Sequence, residues 1–274
     1  MAAPAPPTTQ EILILYGSQT GNSESAAHEL SSLLPTKLPP SKLAEYDGPP
    51  HLALASRVLS LDDFLEVERA KWPRIVVIVT SSYGVGQAPL GARKFREWCD
   101  VVLERYGYLP EGGDDPNDER GRRYKSLNEK EKILKGVKFA LLGLGDSHYS
   151  TFFRNPTVIE EALTTVGAER IGELGKADAS GTGEMEQAKV IERWMEGIWK
   201  DLAKAVAEDY KGKNGQMGHA LELERAREES WKLCLEIFPQ WKPTNYWAMV
   251  GVSLPASAVV IGILVHLFFY GGKL

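Results

Sequence analysis

A run of small hydroxyl, amide and glycine residues follows the first apolar stretch of the chain. Residues 12–15 are apolar without a break, as is typical of a parallel strand that is covered on both faces. The candidate binding residues come next: Ser18, Gln19, Thr20, Gly21 and Asn22. Short side chains let backbone N–H groups converge, and a following helix adds partial positive charge at its N-terminus. The pattern predicts a phosphate site without the lysine of a P-loop, which argues against a nucleoside triphosphatase; an ordinary strand-to-helix turn is the alternative.

Two later loops each place a tyrosine among glycine and polar residues after a predicted strand. One loop contains Ser81, Ser82, Tyr83, Gly84 and Gly86, and the other contains Leu142, Gly143, Leu144, Gly145, Asp146 and Tyr149. Two aromatic rings beside a phosphate site can enclose a flat ring, and glycines let the backbone approach its edge. A flat ring joined to a phosphate by a short polar chain describes flavin mononucleotide (FMN). Each tyrosine taken alone could instead be a loop-packing residue.

Strands and helices alternate over the first 210 residues. The predicted strands are residues 12–15, 52–59, 74–80, 137–142 and 170–174. The predicted helices follow Ser23 and cover residues 62–72 with an aspartate pair as cap, 90–106, 155–166 with Asn155 as cap, and 184–209. Residues 31–50 predict a surface loop, and the charged segment 107–135 predicts a surface insertion. The alternation predicts an α/β fold with a doubly wound parallel sheet, whose ligand lies at the carboxyl ends of the strands.

The C-terminal part of the chain predicts a membrane anchor. Residues 246–270 contain no Asp, Glu, Lys or Arg, and aromatic residues stand at both ends of the segment. At about 1.5 Å per residue, a helix of this length exceeds the roughly 30 Å hydrocarbon thickness of a bilayer; a buried core helix is the alternative. Residues 211–245 predict a linker with an amphipathic helix, residues 1–10 a disordered lead-in, and residues 11–210 the domain itself. We expect that domain to face the cytosol.

Composition narrows the classes of function. The chain has 274 residues and a net charge of −5, which argues against a nucleic-acid partner. The two cysteines, Cys99 and Cys234, lie far apart, so neither a disulfide framework nor a cysteine-rich metal site is expected. We predict no metal and no catalytic residue.

Four stretches in order resemble the FMN-binding domain of the diflavin reductases, a group that includes NADPH–cytochrome reductases and methionine synthase reductase. They are YGSQTGN (16–22), TSSYGVG (80–86), LKGVKFALLGLGDSHYSTFF (134–153) and GAERIGELGKAD (167–178). The resemblance covers residues 11 to about 202. It implies a flavodoxin-like sheet of five parallel strands in the order 2-1-3-4-5.

The resemblance also implies which residues contact FMN. Residues 18–22 are expected to bind the phosphate, Tyr83 and Tyr149 to stack on the ring, and the Gly84 carbonyl to meet flavin N5–H. Residues 143–145 and Asp178 are expected to line the ring and the ribityl chain. The same motifs add Ser81, Ser82, Gly86, Leu142, Asp146 and Phe152 to the expected contacts.

These observations predict a membrane-anchored FMN electron-transfer protein, a carrier rather than a complete enzyme. Diflavin reductases continue into FAD and NADPH domains, whereas this sequence continues into the predicted anchor. The expected donor is therefore a separate FAD/NAD(P)H reductase, and the expected acceptor is a haem or metal protein. The endoplasmic reticulum is the first choice of membrane and the mitochondrial outer membrane the second. The alternatives are a flavin-free membrane scaffold on the same fold and a free-standing NAD(P)H/quinone oxidoreductase.

The loop after the third predicted strand yields a prediction about redox potential. Relatives often have acidic residues after this tyrosine, as in YGEGE, where this chain has Val85 and Gln87. Because negative charge opposes the addition of electrons, we expect the second one-electron reduction to occur at a less negative potential than in acidic-loop relatives. Val85→Glu should lower that potential in a spectroelectrochemical titration, and a rise would contradict the prediction.

Overall fold

The computed structural model describes residues 8–49, 51–67, 73–106, 132 and 134–215, which form one parallel sheet with helices on both faces. The strands are β1 (Thr8–Gly17), β2 (Leu52–Ser60), β3 (Ile75–Ser81), β4 (Lys138–Gly145), β5 (Glu169–Arg170) and β6 (Gly175–Asp178). The helices are α1 (Asn22–Lys37), α2 (Pro40–Ala44), α3 (Leu61–Phe64), α4 (Arg93–Tyr106), α5 (Arg154–Thr165) and α6 (Gln187–Gly215).

The strand order is β2-β1-β3-β4-β5, with β6 also paired to β4, and every pairing is parallel. This confirms the predicted doubly wound sheet. The central strand β3 has the sequence IVVIVTS and is buried from Ile75 to Thr80. β-Branched residues suit a strand that is covered on both faces, because their side chains pack well on a pleated surface.

Alternate residues of the strands enter two apolar layers. On one face, Ile12, Ile14 and Val77 pack with buried side chains of α1 and α6, including Leu30 and Trp199. The other face carries the aromatic side chains of α4. Its buried set includes Leu15, Ile78, Phe139, Phe95, Trp98 and Leu163. The two layers keep the sheet rigid and leave its carboxyl edge to the loops.

β1, β3, β4 and β6 end within two residues of one another in the register of the sheet. Gly17 of β1 lies opposite Thr80 of β3, and Thr80 lies opposite Gly143 of β4. Gly145 in turn lies opposite Asp178 of β6. The loops after β1, β3, β4 and β6 therefore begin side by side.

The N-terminal third contains more regular structure than predicted. Residues 8–10, predicted as lead-in, belong to β1 and pair with β2. The predicted loop at 31–50 is wrong, because α1 continues to Lys37 and α2 follows. Burial of Leu34, Leu38 and Leu43 stabilises these turns, and Pro40 occupies the first helical position, which tolerates proline.

Two further boundaries differ from the prediction. The fifth place in the sheet is filled by the short strands β5 and β6 rather than by residues 170–174, because Gly172 has a φ of +63° and interrupts the extended chain. The predicted helix 62–72 is described only as α3. It is capped by Ser60, whose Oγ accepts a 3.0 Å hydrogen bond from the Asp63 N–H, and not by the aspartate pair.

The predicted linker and insertion overlap the folded domain at their ends. α6 continues to Gly215, and Lys211 forms a 3.1 Å ion pair with Asp47. Leu134, predicted within the insertion, is buried, and its N–H donates to the Val166 carbonyl. Most of the predicted insertion and linker, and all of the predicted membrane span, lie outside the described residues. Among the helices that the structure describes, none is both long and apolar enough to cross a bilayer.

Asn155 braces the sheet edge instead of capping a helix. Phe153 occupies the cap position of α5, and the fully buried Asn155 side chain donates to Thr80 Oγ1 at 3.2 Å and to the Ser81 carbonyl at 3.0 Å. Its Oδ1 accepts from the Arg96 guanidinium at 3.2 Å. The predicted cap role of Asn155 is therefore wrong, because its side chain is directed into the sheet.

The hydrogen bonds of Asn155 predict how much stability its removal costs. Asn155→Ala leaves Thr80 Oγ1 and the Ser81 carbonyl without these partners, so the free energy of unfolding should fall by about 2 kcal/mol. Urea unfolding of the full chain, followed by tryptophan fluorescence, measures the change. Thr164→Ala at an exposed position is the control and should cost less than about 0.5 kcal/mol. Equal stabilities of the two variants would contradict the prediction.

Candidate functional site

A polar cleft opens to solvent at the carboxyl ends of β1, β3 and β4. Its cavity volume is about 380 Å³, within the about 300–1,000 Å³ usual for ligand sites. Its walls are Gln19, Thr20, Asn22, Ser23, Ser81, Ser82, Tyr83, Gly84, Leu144, Gly145, Asp146, Tyr149, Thr151, Phe152, Ala179 and Gln187. A second cavity lies within the α4–α5 layer, but its lining has no ionisable side chain and suits no charged ligand.

The N-terminus of α1 forms one end of the cleft. Gly21 occupies the cap position with a φ of +94°, and no side chain caps the helix. Ser18 accepts a 3.0 Å hydrogen bond from the Gly21 N–H and so shapes the turn from within. The first-turn N–H groups of this 16-residue helix therefore lack a side-chain cap, as in an anion site.

Ser23 adds a hydroxyl donor to this end of the cleft. The residue is only 1% exposed and lines the cleft, yet its Oγ has no hydrogen-bond partner. A buried hydroxyl without a partner costs free energy, so its presence on a ligand-sized cleft indicates that a ligand completes its bonding. The motif analysis missed Ser23, although it is the next residue after the predicted run and has the same hydroxyl chemistry.

Two tyrosines form the other part of the wall. Tyr83 follows β3 and Tyr149 follows β4, and they are 46% and 57% exposed. Rings of this size are normally covered on at least one face, and exposed aromatic side chains that line one cleft mark an interaction site. The structure brings the two predicted tyrosines to the wall of the same cleft, and their stacking on a flat ring stays a prediction.

The Tyr83 loop is a tight turn whose carbonyls accept hydrogen bonds from Thr151 and Arg96. Tyr83 and Gln87 exchange backbone hydrogen bonds of 2.9 and 2.8 Å, and Gly84 has a φ of +53°. The Gly84 carbonyl accepts from Thr151 Oγ1 at 3.5 Å. The Gly86 carbonyl accepts from the Arg96 guanidinium at 3.3 Å. These contacts hold the loop against α4 and against the segment that follows Tyr149.

Gly143 allows that segment to pack closely on β4. A Cβ at Gly143 would lie 2.3 Å from the ring of Phe153, so no larger residue fits there. Phe153 is buried and has a φ of +67°, which is an uncommon conformation for an aromatic residue. The close contact places Phe152 on the cleft wall and Phe153 beneath it.

Two carboxylates connect the loops after β4 and β6. Asp146 accepts from the Ser180 hydroxyl and from the N–H of His148 at 3.0 Å. Asp178 accepts from the N–H groups of Ser147 at 2.9 Å and Ser180 at 3.0 Å. Hydrogen bonding, first from Ser180 and then from His148, lowers the pKa of Asp146 to about 2. Burial raises the pKa of Asp178, but the Ser147 and Ser180 bonds outweigh it and lower the pKa overall.

The Ser180, His148 and Asp146 cluster is not a nucleophilic triad. In a triad, serine and aspartate contact different ring nitrogens of the histidine. Here Ser180 Oγ and Asp146 Oδ1 both contact Nδ1, so no relay runs from the hydroxyl through the ring to the carboxylate. The cluster orders the loops, and His148 is exposed.

Gln187 connects three walls of the cleft and was also missed. Its Nε2 donates to the carbonyls of Ala177 at 3.2 Å and Gly145 at 3.4 Å, and its Oε1 accepts from the Asn22 side chain at 3.4 Å. Gln187 begins α6, far along the chain from the other residues. Only the packing of α6 on the sheet brings it to the cleft, so no local signal could have identified it. Thr151 and Ala179 also line the cleft and were missed, although they lie in the loops after β4 and β6 beside predicted residues.

The structure divides the predicted site residues into two groups. Twelve line the cleft: Gln19, Thr20, Asn22, Ser81, Ser82, Tyr83, Gly84, Leu144, Gly145, Asp146, Tyr149 and Phe152. Six lie behind its wall rather than on it: Ser18, Gly21, Gly86, Leu142, Gly143 and Asp178. Those six shape turns or strand ends beside the cleft, and their contacts with FMN stay a prediction. Among the described residues, no cluster of His, Cys, Asp or Glu could bind a metal ion.

Comparison with known proteins gives a consistent match. The family model described as Flavodoxin matches residues 14–194. A bifunctional cytochrome P450/NADPH–P450 reductase from Bacillus cereus is 30% identical over 195 residues, which cover 71% of this chain and 14% of that protein. An NADPH–cytochrome P450 reductase from Aspergillus terreus is 29% identical over 204 residues, covering 73% of this chain and 24% of that protein.

A methionine synthase reductase from Caenorhabditis elegans is 28% identical over 193 residues, covering 70% of this chain and 22% of that protein. These relatives confirm the predicted resemblance to the diflavin reductases. The chain spans about a quarter or less of their length.

The Asp146 network predicts a measurable titration. Because folding lowers the pKa of Asp146, its carboxylate adds to the free energy of unfolding above its unfolded pKa near 3.8. That contribution is lost as the pH falls through about 2. Carboxyl NMR of the full chain should show Asp146 titrating near pH 2. Ser180→Ala should move that pKa towards the ordinary value, because the largest cause of the shift is removed.

Ser150→Ala, at an exposed neighbouring position, is the control and should leave the pKa of Asp146 unchanged. A wild-type carboxyl that titrates at the ordinary value of 3.8 would contradict the described network.

Proposed function

Because this chain belongs to the flavodoxin family, we propose that it binds FMN in the described cleft and carries electrons. Proteins of the flavodoxin family bind FMN. FMN, when bound, supplies chemistry that accepts electrons in pairs and releases them singly. The protein has to bind the phosphate, orient the ring and control access of water and partner to it.

The phosphate end of the cleft fits FMN without a cationic side chain. The uncapped N-terminus of α1 presents backbone N–H groups and the positive end of the helix dipole. The unpartnered Ser23 hydroxyl and the cleft-lining side chains of Thr20 and Asn22 supply further donors. A phosphate bound there satisfies the buried hydroxyl that the protein itself leaves without a partner.

The ring end of the cleft fits a flat, uncharged heterocycle. Tyr83 and Tyr149 offer half-exposed rings for stacking, which also excludes water from the faces of a bound ring. The Gly84 carbonyl can accept a hydrogen bond from a ring N–H. The tight turn from Tyr83 to Gln87 determines the direction of that carbonyl. Asp146 stays ionised at neutral pH and keeps the neighbouring loop ordered.

One observation carries the proposal: a phosphate site and a flat-ring site open into the same cleft. Neither half is specific alone, since helix N-termini bind many anions and exposed tyrosines contact many partners. Their combination within one cleft is what an aromatic mononucleotide requires.

We also propose the redox partners of this protein and its location. The donor is a separate FAD/NAD(P)H-dependent reductase, and the acceptor is a haem or metal protein. Residues 246–270 anchor the chain in a membrane, with the domain in the cytosol. The endoplasmic reticulum is the first choice and the mitochondrial outer membrane the second. The relatives named as P450 reductases support the electron-transfer class. Anchoring both partners on one membrane raises their effective concentration.

Cofactor binding is tested by titrating the cofactor-free full chain with FMN and, separately, with riboflavin. We expect tight binding of FMN, a yellow complex bleached by dithionite, and weaker binding of riboflavin, which lacks the phosphate. A chain that stays colourless would favour the flavin-free scaffold. Rapid reduction of the complex by NADPH without a second protein would favour the free-standing oxidoreductase.

Ser23 gives this test a single-residue form. Ser23→Ala removes a hydroxyl that would donate to the phosphate, and a hydrogen bond to a charged group is worth about 1.5–3 kcal/mol. The FMN dissociation constant should therefore rise about tenfold or more, while riboflavin binding is unchanged. Ser25→Ala, at an exposed position on the same helix, is the control. An equal loss of riboflavin affinity would contradict a phosphate contact.

A further inference from the structure

Arg96 is a cation that the fold largely buries behind the loop at the ring end of the cleft. Its side chain is only 13% exposed, although a guanidinium stays charged at any physiological pH. Burying a charge costs much more free energy than burying a neutral amide of similar size, and arginine is mostly found on protein surfaces. A buried arginine next to a ligand cleft therefore needs an explanation.

Three hydrogen bonds determine where the Arg96 guanidinium lies. Its Nη1 donates to the Gly86 carbonyl at 3.3 Å and to the Asn155 side chain at 3.2 Å, and its Nε donates to Asp100 at 2.9 Å. Gly86 belongs to the tight turn that begins at Tyr83. Arg96 therefore holds this turn from the side of α4, and its charge lies directly behind the turn.

The turn brings this charge close to the cleft wall. Consecutive Cα atoms are about 3.8 Å apart, so Gly86 lies within about 8 Å of Gly84, which lines the cleft. At such distances a buried charge still acts on a second charge, because protein atoms and not salt water separate the two. The nearby Arg93 and Arg154 side chains are exposed, so solvent screens their charges more strongly.

Asp100 compensates the charge of Arg96 only in part. Its side chain is 43% exposed, so water screens the carboxylate more than it screens the guanidinium. Asp100 also contacts Nε, whereas Nη1 is directed at Gly86, so the turn meets the positive end of the pair. Asn155 bonds to the same region with a neutral amide, so hydrogen bonding alone does not require an arginine here.

We infer that Arg96 is a positioning residue of the ring site whose buried charge favours the fully reduced, anionic state of a bound ring. The inference rests on the proposed function, because it concerns the potential of the same cofactor. At neutral pH the ring takes up its first electron together with a proton and its second electron without one. These electrons come from dithionite in the test and from the donor reductase in the proposed function. Only the second step adds negative charge, so only that step should respond to the charge of Arg96.

The test measures both one-electron potentials of the FMN-loaded full chain in a spectroelectrochemical titration with dithionite. Arg96→Gln should make the second step less favourable by about threefold in its equilibrium constant, which is about 30 mV at about 59 mV per tenfold. The first step should change less than about 1.5-fold, because it adds no net charge. High salt should leave the shift in place, because the charge that the substitution removes is buried.

Three further variants separate the charge of Arg96 from its hydrogen bonds. Asp100→Asn removes the compensating carboxylate at a half-exposed position and should make the second step about twofold more favourable. Arg96→Lys keeps the charge without the planar fork of donors, so its second step should lie closer to wild type than that of Arg96→Gln. Lys204→Gln, the matched control, removes one positive charge from an exposed position of α6, on the other face of the sheet, and should leave both potentials unchanged.

Four results would overturn the inference. A second step that Arg96→Gln leaves unchanged, or equal shifts of both steps, refutes the electrostatic role and leaves the proposed function intact. Equal second-step shifts in Arg96→Gln and Lys204→Gln refute it as well, because net charge alone then accounts for the potential. If Arg96→Gln does not fold, Asp100→Asn decides, and an unchanged second step in that variant refutes the inference. Failure of the full chain to bind FMN refutes the inference and the proposed function together.

Discussion

The cleft depends on one constraint: neighbouring parallel strands of the sheet end close to the same register. Gly17, Thr80 and Gly143 occupy one register across β1, β3 and β4. Because paired strands lie about 5 Å apart, the loops that follow neighbouring strands start side by side. A slip of one residue in any pairing would exchange the faces of that strand and remove its loop from the site. The apolar layers on both faces of the sheet prevent such a slip.

Positive charge at the phosphate end of the site comes from the backbone rather than from side chains. A phosphate placed at α1 meets N–H groups and a helix dipole, and the run from Ser18 to Ser23 contains no lysine or arginine. Residues 79–92, which contain the loop after β3, are likewise uncharged, and the ionised Asp146 is bonded to its own neighbours. The directional field of the backbone N–H groups can therefore position an anion at α1 without a cationic side chain.

Two buried or half-buried amides connect the loops to the sheet. Asn155 bonds to Thr80, Ser81 and Arg96, and Gln187 bonds to Ala177, Gly145 and Asn22. An amide can donate and accept at once, so each side chain joins three segments without introducing charge. The loops therefore have a defined shape before any ligand is present, which lowers the entropic cost of binding.

Local sequence determined the parallel α/β sheet and most of the cleft wall, and the family resemblance implied the strand order. The apolar runs of β1, β3 and β4 and the hydroxyl and glycine residues after them are local signals, and the tyrosine loops belong to strands that pair directly. Tertiary packing decided the remainder: the extra helix α2, the division of the fifth strand at Gly172, the role of Asn155 and the arrival of Gln187 from α6. It also separated residues on the cleft wall, such as Gly145, from residues behind it, such as Gly143. The physical reason is that a side chain's type is local, whereas its direction and its partners depend on segments far away in the chain.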